Sequence, residues 1–340
     1  MAITIKKIAE ICNISRGTVD RVLNNRGKVK PETEVFIRKI AEQMGYEPNP
    51  AGKALAAKKK KLVIGVLLVS EGNPFFDEVI RGIRATGIEY VAYGVRVLIK
   101  TMCGYDVRKQ CELMDEMKSE VNALIINPIS DIRVCNKIDE LVDHGIFVVT
   151  VNTDIENSKR ACFVGSDYTN GGETACGIMG LLMKGHAKVG VVTGSFKVSG
   201  HNQRIAGFKK IMKKKYPRFQ LLEIMESEDD DIRAFEVTTK LLQKYEEMDA
   251  IFIVAGGVYG VCRALIGQAR DQKITVVSFD SAPTTVEMME RHVVDVTIYQ
   301  HPYTQGRDAM QVVFAYLVNG TTPKKERHIL KNEIKVLENL

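Results

Sequence analysis

Arg16, Gly17, Thr18, Arg21, Asn24 and Asn25 crowd one short segment near the amino end, and together they offer hydrogen-bond donors rather than a nucleophile or a base. An arginine can bond one guanine bidentately, and a glycine beside it lets the backbone come close. Arg16 and Gly17 are therefore the candidates for reading base edges. Discrimination falls on Arg16, because Gly17 has no side chain. Thr18, Arg21, Asn24 and Asn25 are better placed for phosphates, which position a reader without specifying sequence. Thr4 and Ser15, at two helix starts, complete the candidate DNA-contacting set. Asp20 would repel phosphates unless it pairs with Arg21 or Arg16 or turns toward a base amino group.

These side chains need a scaffold, and the flanking residues spell one. Thr4 through Ile11 reads as a short helix, Cys12-Asn13-Ile14 as a tight turn, and Ser15 as the N-cap of a second helix from Arg16 to Leu23. That is a helix-turn-helix, whose second helix presents its first turn to a major groove. Ile5, Ile8, Ile11, Ile14, Val19, Val22 and Leu23 are expected to face inward. Asn13 tolerates the left-handed conformation such a turn requires. A third helix should start at Pro31 and stop before Gly45, with Val35, Phe36, Ile40 and Met44 as its inner face.

Charge is divided unevenly. Residues 1–61 hold fourteen Lys or Arg against six Asp or Glu, a net of +8, while the remainder holds 34 against 36, a net of −2. An excess at one end is the electrostatic footprint of a phosphate-binding head on a body that need not touch nucleic acid. The 340 residues, 45% hydrophobic and 26% charged, leave room for two or three domains. No apolar run approaches the roughly 18 residues of a membrane span, and no signal peptide is evident, so a cytoplasmic protein is expected. Seven scattered cysteines without a CxxC fit a reducing compartment and argue against disulfides and zinc. There is no GxxxxGK[ST], GxGxxG after a strand, GxSxG or HExxH. The six histidines, at 144, 186, 201, 292, 301 and 328, lack ligand spacing. No enzyme activity, metal or cofactor is expected.

From Leu62 onward, apolar runs at 62–69, 123–126, 147–151, 189–192, 251–254 and 274–279 alternate with helix-period segments such as 75–90 and 233–242. Strands buried on both faces and separated by amphipathic helices mean parallel sheet in α/β units. There are too many for one small sheet. The expected fold is an N-terminal all-α helix-turn-helix domain plus an α/β core of two doubly wound, Rossmann-like parallel-sheet subdomains, with a ligand at the carboxyl ends of the strands. The expected boundaries are 1–46 for the head, 47–61 for a hinge helix or linker, 62–166 plus 301–325 for the first core subdomain, and 167–300 plus 326–340 for the second.

Thr4-Ile5, Ile8-Ala9, Ile14-Ser15, Thr18-Val19, Arg21-Val22-Leu23-Asn24, Tyr46, Pro48 and Asn49 together resemble the lactose-repressor family of bacterial transcription regulators. The resemblance implies that 46–57 is a hinge helix that orders in the minor groove when two protomers share an operator. Leu55 would then be the wedge at a central base step, with Asn49 and Lys53 beside it. The residues read alone agree, since a lone Ala-rich helix containing Gly52 should be largely unfolded in water, and Lys58 to Lys61 add counterion-releasing contacts. A plain flexible linker is the alternative. Lys30 stands where the family often has a serine cap, and Gly52 replaces its usual alanine.

Asn73-Pro74-Phe75-Phe76, Ile126-Asn127-Pro128, Phe279-Asp280 and Ile298-Tyr299-Gln300 are similar to ribose-binding-type sugar receptors and the regulators built on that core. The resemblance implies a polyol site. Phe75 and Phe76 would cover the C–H face, Asn73 and Gln300 would supply amides, Asp280 a paired acceptor, and Arg204 a charged donor. Asn152 and Thr153 occupy the place of the receptors' Asp-Arg pair. Gly256, within Ala255-Gly256-Gly257, stands where they have Asn-Asp. One of the two phenylalanines could be core instead, because adjacent helical residues cannot face the same way. Asp280 could be a helix N-cap, and Arg204 a surface charge.

The function expected is a DNA-binding transcriptional regulator, a repressor controlled by a small sugar-like effector, acting as a homodimer on a near-palindromic operator. The chain ends at Leu340 without a heptad tail, which favours a dimer over a tetramer. A solute-binding protein without a DNA role, or a regulator controlled by a phosphoprotein co-repressor, is the alternative. On a palindrome with a central C-G step, Leu55→Ala should bind more weakly than wild type in a gel shift, and equal affinity rejects the wedge.

Overall fold

The computed structural model describes residues 3–23, 27, 29–46, 57–69 and 71–340. Three helices form the head: α1 (Ile5–Cys12), α2 (Arg16–Leu23) and α3 (Pro31–Gln43). Thr4 caps α1 through its hydroxyl, and Asn13 ends it in the left-handed region with φ 51°. Ile8, Val19, Val22, Ile37 and Ala41 make the buried centre. Two expectations fail here. Ile11 is 47% exposed, and so are Val35 at 67% and Phe36 at 46%. Inward positions on α3 recur as Ile37, Ile40, Ala41 and Met44, a stripe of one helical period that Val35 and Phe36 do not join. Lys30 gives α3 no side-chain cap.

Beyond the head lie two sheets of six strands each. The first runs β11 (Arg327–Leu330), β5 (Cys162–Ser166), β4 (Phe147–Val151), β3 (Ala123–Ile126), β1 (Val63–Val69), β2 (Arg96–Met102). The second runs β12 (Glu333–Lys335), β10 (Val296–Tyr299), β9 (Thr275–Phe279), β8 (Ala250–Ile253), β6 (Ala187–Thr193), β7 (Phe219–Glu226). Every pairing is parallel except β10 with β12. The first five strands of each lobe share one order, so each has a switch point beside its opening strand, where a crevice forms at the strands' carboxyl ends. Alternate residues of β1 serve opposite faces: Ile64, Val66 and Leu68 join one core and Leu67 and Val69 the other. Strands β2 and β7 were not evident as apolar runs because they are edges with partly exposed residues.

The chain crosses between lobes three times: between β5 and α7 (Tyr168–Leu182), between β10 and α12 (Pro302–Asn319), and between β11 and β12. The last crossing corrects the expected boundary. Residues 327–330 belong with the first lobe, because that strand lies parallel against β5 and completes the sheet edge, so the chain changes lobe after Leu330 rather than before residue 326. Asn332 Nδ2 donates to Asp167 O at 3.1 Å and ties the first crossing to the third.

Each lobe packs helices at backbone contact. In the first, α4 (Pro74–Tyr90) meets α12 where a methyl on Gly82 would lie 2.1 Å from Tyr303 O and one on Gly306 2.1 Å from Val79 O. In the second, α7 meets α8 (Ser199–Lys215), and methyls on Gly172 and Gly207 would lie 1.9 Å from Arg204 O and 2.1 Å from Thr169 O. Gly306→Ala should therefore destabilise the protein by about 1–3 kcal/mol through overpacking, despite alanine's higher helix propensity. Gly177→Ala, where a methyl meets nothing within 4 Å, should be neutral or stabilising. Urea unfolding of the two variants checks the contrast, and equal effects would contradict it.

Candidate functional site

In the head, the first turn of α2 stands at the surface. Arg16 and Gly17 are exposed. Ser15 Oγ accepts from Thr18 N at 3.2 Å and pairs with Thr18 Oγ1 at 2.9 Å. Arg21 folds back, donating from Nη2 to Thr18 Oγ1 at 3.3 Å and from Nε to Gly17 O at 3.2 Å. Thr4 Oγ1 accepts from Lys7 N at 3.3 Å. Thr4, Ser15, Thr18 and Arg21 thus have local partners, and Arg16 projects from an otherwise tied-down turn. Asn24, Asn25, Asn49, Lys53 and Leu55 lie outside the described residues.

Between the lobes is a cavity of about 140 Å³, on the scale of a monosaccharide. All nine sequence candidates line it: Asn73, Phe75, Phe76, Asn152, Thr153, Arg204, Gly256, Asp280 and Gln300. They come together because each follows a strand's carboxyl end or opens a helix. Asn73 caps α4, its Oδ1 accepting from Phe75 N at 3.1 Å. Phe75 and Phe76 meet edge to face, with centroids 5.2 Å apart. Phe76 reaches the first lobe's core while Phe75 packs at its border.

Arg204 is the pivot. It is 3% exposed, on the first turns of α8, and its guanidinium carbon lies 3.8 Å from the centroid of Phe279 and 4.9 Å from that of Tyr168. Nη1 donates to Val254 O at 2.5 Å, and Nη2 donates to Gln300 Oε1. Its Nε, fully buried, has no acceptor among the described residues. Gln300 sits at the second crossing and passes the chain on, its Nε2 donating to Asp280 Oδ2 at 2.5 Å and its backbone N to Asp280 Oδ1 at 3.1 Å. Asp280, held at φ 61°, is no helix cap. Burial pushes its carboxyl up to about 6, against the pull of Arg204 and of the Gln300 hydrogen bonds.

The opposite wall is braced from behind. Asn152 takes φ 63°, and its Oδ1 accepts from Asn127 Nδ2 and from Thr153 Oγ1, both at 3.4 Å. Next to them Asp154 receives Arg160 bidentately at 2.5 and 2.7 Å with both side chains buried, which fixes the loop after β4. Tyr168 OH, from the second lobe, donates to Asn152 O. At the cleft mouth Tyr105 OH donates to Asp229 Oδ2, and Ser130 N to Lys197 O at 3.1 Å, both from the first lobe to the second. Asp229 Oδ1 accepts from Gly256 N at 2.8 Å. Sequence reasoning missed Tyr105, Tyr168, His201, Asp229 and Phe279 as lining residues. The strand-end rule that nominated Asn73 and Asp280 reaches Tyr105 and Asp229 as well, once the edge strands β2 and β7 are found.

Among the described residues no group of three His, Cys, Asp or Glu could hold a metal ion, and no helix is long and apolar enough to cross a membrane. The arrangement suits recognition of hydroxyls: amide and carboxylate acceptors, one buried guanidinium and aromatic faces.

Comparison with known proteins agrees with this division. Residues 4–49 match the family described as bacterial regulatory proteins, lacI family, and residues 64–321 match the periplasmic binding protein domain. Catabolite control protein A of Priestia megaterium is 26% identical, over 93% of both chains. A ribose operon repressor of Halalkalibacterium halodurans is 25% identical, over 82% of this chain and 81% of its own. Among solved structures, a Burkholderia graminis solute-binding protein in complex with D-arabinose superposes with a TM-score of 0.77 at 23% identity, over 82% of this chain and 96% of its own. A Bacillus halodurans solute-binding protein with bound myo-inositol gives 0.75 at 20%, over 82% and 96%.

Because the unfolded Asp280 carboxyl titrates near 3.8 and the folded one near 6, the native chain holds the extra proton between those values. Stability from this group is present below the lower value and lost as pH rises through the upper. Wild type should lose up to about 3 kcal/mol relative to Asp280→Asn between about pH 4 and about pH 7. Denaturant unfolding across that range checks it, and a flat or opposite difference contradicts it.

Proposed function

We propose the function from one premise: the chain belongs to the lacI family of bacterial regulatory proteins, with a periplasmic binding protein domain as its body. It is a sequence-specific DNA-binding transcriptional regulator, acting as a repressor, whose operator affinity is set by a small sugar-like effector between the two lobes. One observation carries the reading: the chain joins an exposed Arg16 on a capped recognition helix to a two-lobed cavity of monosaccharide size. Neither part alone requires the other.

The effector contacts we assign are Asn73, Phe75, Phe76, Asn152, Thr153, Arg204, Gly256, Asp280 and Gln300. Support comes from their shared cavity, which brings amides, a carboxylate, a guanidinium and aromatic faces to one place. Gln300 stands at a crossing between lobes, so an effector that engages Arg204 also loads the segment about which the lobes move. Two chains pair on a near-palindromic operator, and lobe movement changes the spacing of the paired heads. Linkage then requires effector and operator to alter each other's affinity by one factor. The protein works in the cytoplasm and catalyses no reaction.

Full-length protein and an operator obtained by in vitro selection test the DNA half. Arg16→Ala should cost about 1–3 kcal/mol, roughly 5- to 150-fold, on the operator and far less on random duplex. An equal loss on both would move Arg16 from base reading to phosphate contact.

A further inference from the structure

Acidic and basic groups in the cleft do not balance. Among the described residues, Asp229, Asp231 and Asp280 line the cavity against a single guanidinium, that of Arg204. His201 does not redress this, since burial pulls its pKa below the ordinary value and keeps the ring neutral near pH 7. The hydrogen bonds these carboxylates accept come from neutral donors: Gly256 N and Tyr105 OH at Asp229, Gly260 N at Asp231, and both nitrogens of Gln300 at Asp280. Arg204 gives its two Nη groups to neutral oxygens, and its buried Nε has no acceptor among the described residues.

The three carboxylates differ in how much charge they leave over. Asp231 is exposed and sits in the first turn of α9 (Asp231–Lys244), where solvent and the helix dipole offset it. Asp280 shares the buried chain with Arg204. Asp229 is half-buried, precedes the helix, and faces the first lobe across the mouth of the cleft. A partly desolvated carboxylate held only by neutral donors gains most from a cation that arrives with the ligand. Phe75 and Tyr105, lining the same cavity, add aromatic surface on which an ammonium is favoured.

We propose that the effector is an aminated polyol, a hydroxyl-rich ring carrying one ammonium, seated with the ammonium toward Asp229. The inference rests on the reading of the cavity as a polyol site and narrows it to one charge class. Anionic relatives such as uronates and sugar phosphates are disfavoured by the same excess of carboxylate.

The test is calorimetric titration of full-length protein near pH 7 with glucosamine, galactosamine, mannosamine and an aminocyclitol. Each is compared with its hydroxyl parent and its N-acetyl form, and the hexosamines also with the matching uronate. At least one amine should bind about tenfold or more tighter than its parent, its N-acetyl form and any uronate. Asp229→Asn, which keeps the side-chain shape, should erase that preference so that amine and parent bind alike. The wild-type comparison alone decides the charge class should the variant not fold. Tighter binding of a parent, an N-acetyl form or a uronate overturns the amine assignment and leaves the polyol site standing. Failure of every compound, whatever its charge, overturns the polyol reading and this inference with it.

Discussion

A guanidinium buried between two aromatic rings sets the terms for the rest of the cleft. Taking a charge out of water costs several kcal/mol unless every donor finds an acceptor. Arg204 meets most of that demand with Val254 O just past β8, with Gln300 at a crossing, and with the faces of Phe279 and Tyr168. Those partners come from β8, β9, α7 and a segment between lobes, so none of them can drift far without exposing the charge. The backbone of Arg204 is pinned as well, because its carbonyl lies against Gly172. Asp280 follows from this, held by Gln300 and kept from ionising freely by its burial.

The opposite wall obeys a different rule. Asn152 and Thr153 lack the arginine that could have made an ion pair with the ligand, and the pairing is displaced instead to Asp154 and Arg160, one layer behind. The salt bridge shapes the loop without facing the cavity. One wall therefore presents charge and the other presents amides and a hydroxyl over a rigid base, which gives the cleft a polarity from the second lobe toward the first.

Much of this was legible in the chain. Continuous apolar runs marked the central strands because parallel sheet buries both faces, and residues just past those runs marked the site. Thr4, Ser15 and Asn13 marked the head because caps and left-handed turns demand their types. The rest was hidden for physical reasons. Strands β2 and β7 are edges, half-exposed, so Tyr105 and Asp229 beyond them carried no strand-end signal. Residues 327–330 join the first sheet by pairing with a strand far back in the chain, which no local pattern specifies. On α3, Val35 and Phe36 are apolar yet exposed, and composition alone could not assign them to the outer face.

The contacts across the mouth, Tyr105 with Asp229 and Ser130 with Lys197, are made by protein groups alone. They favour the closed shape whatever the cleft encloses, and opening it would break both. An occupant then shifts a pre-existing balance only by its differential affinity for the two shapes. The strength of these two contacts therefore sets how much differential affinity an occupant needs to tip that balance.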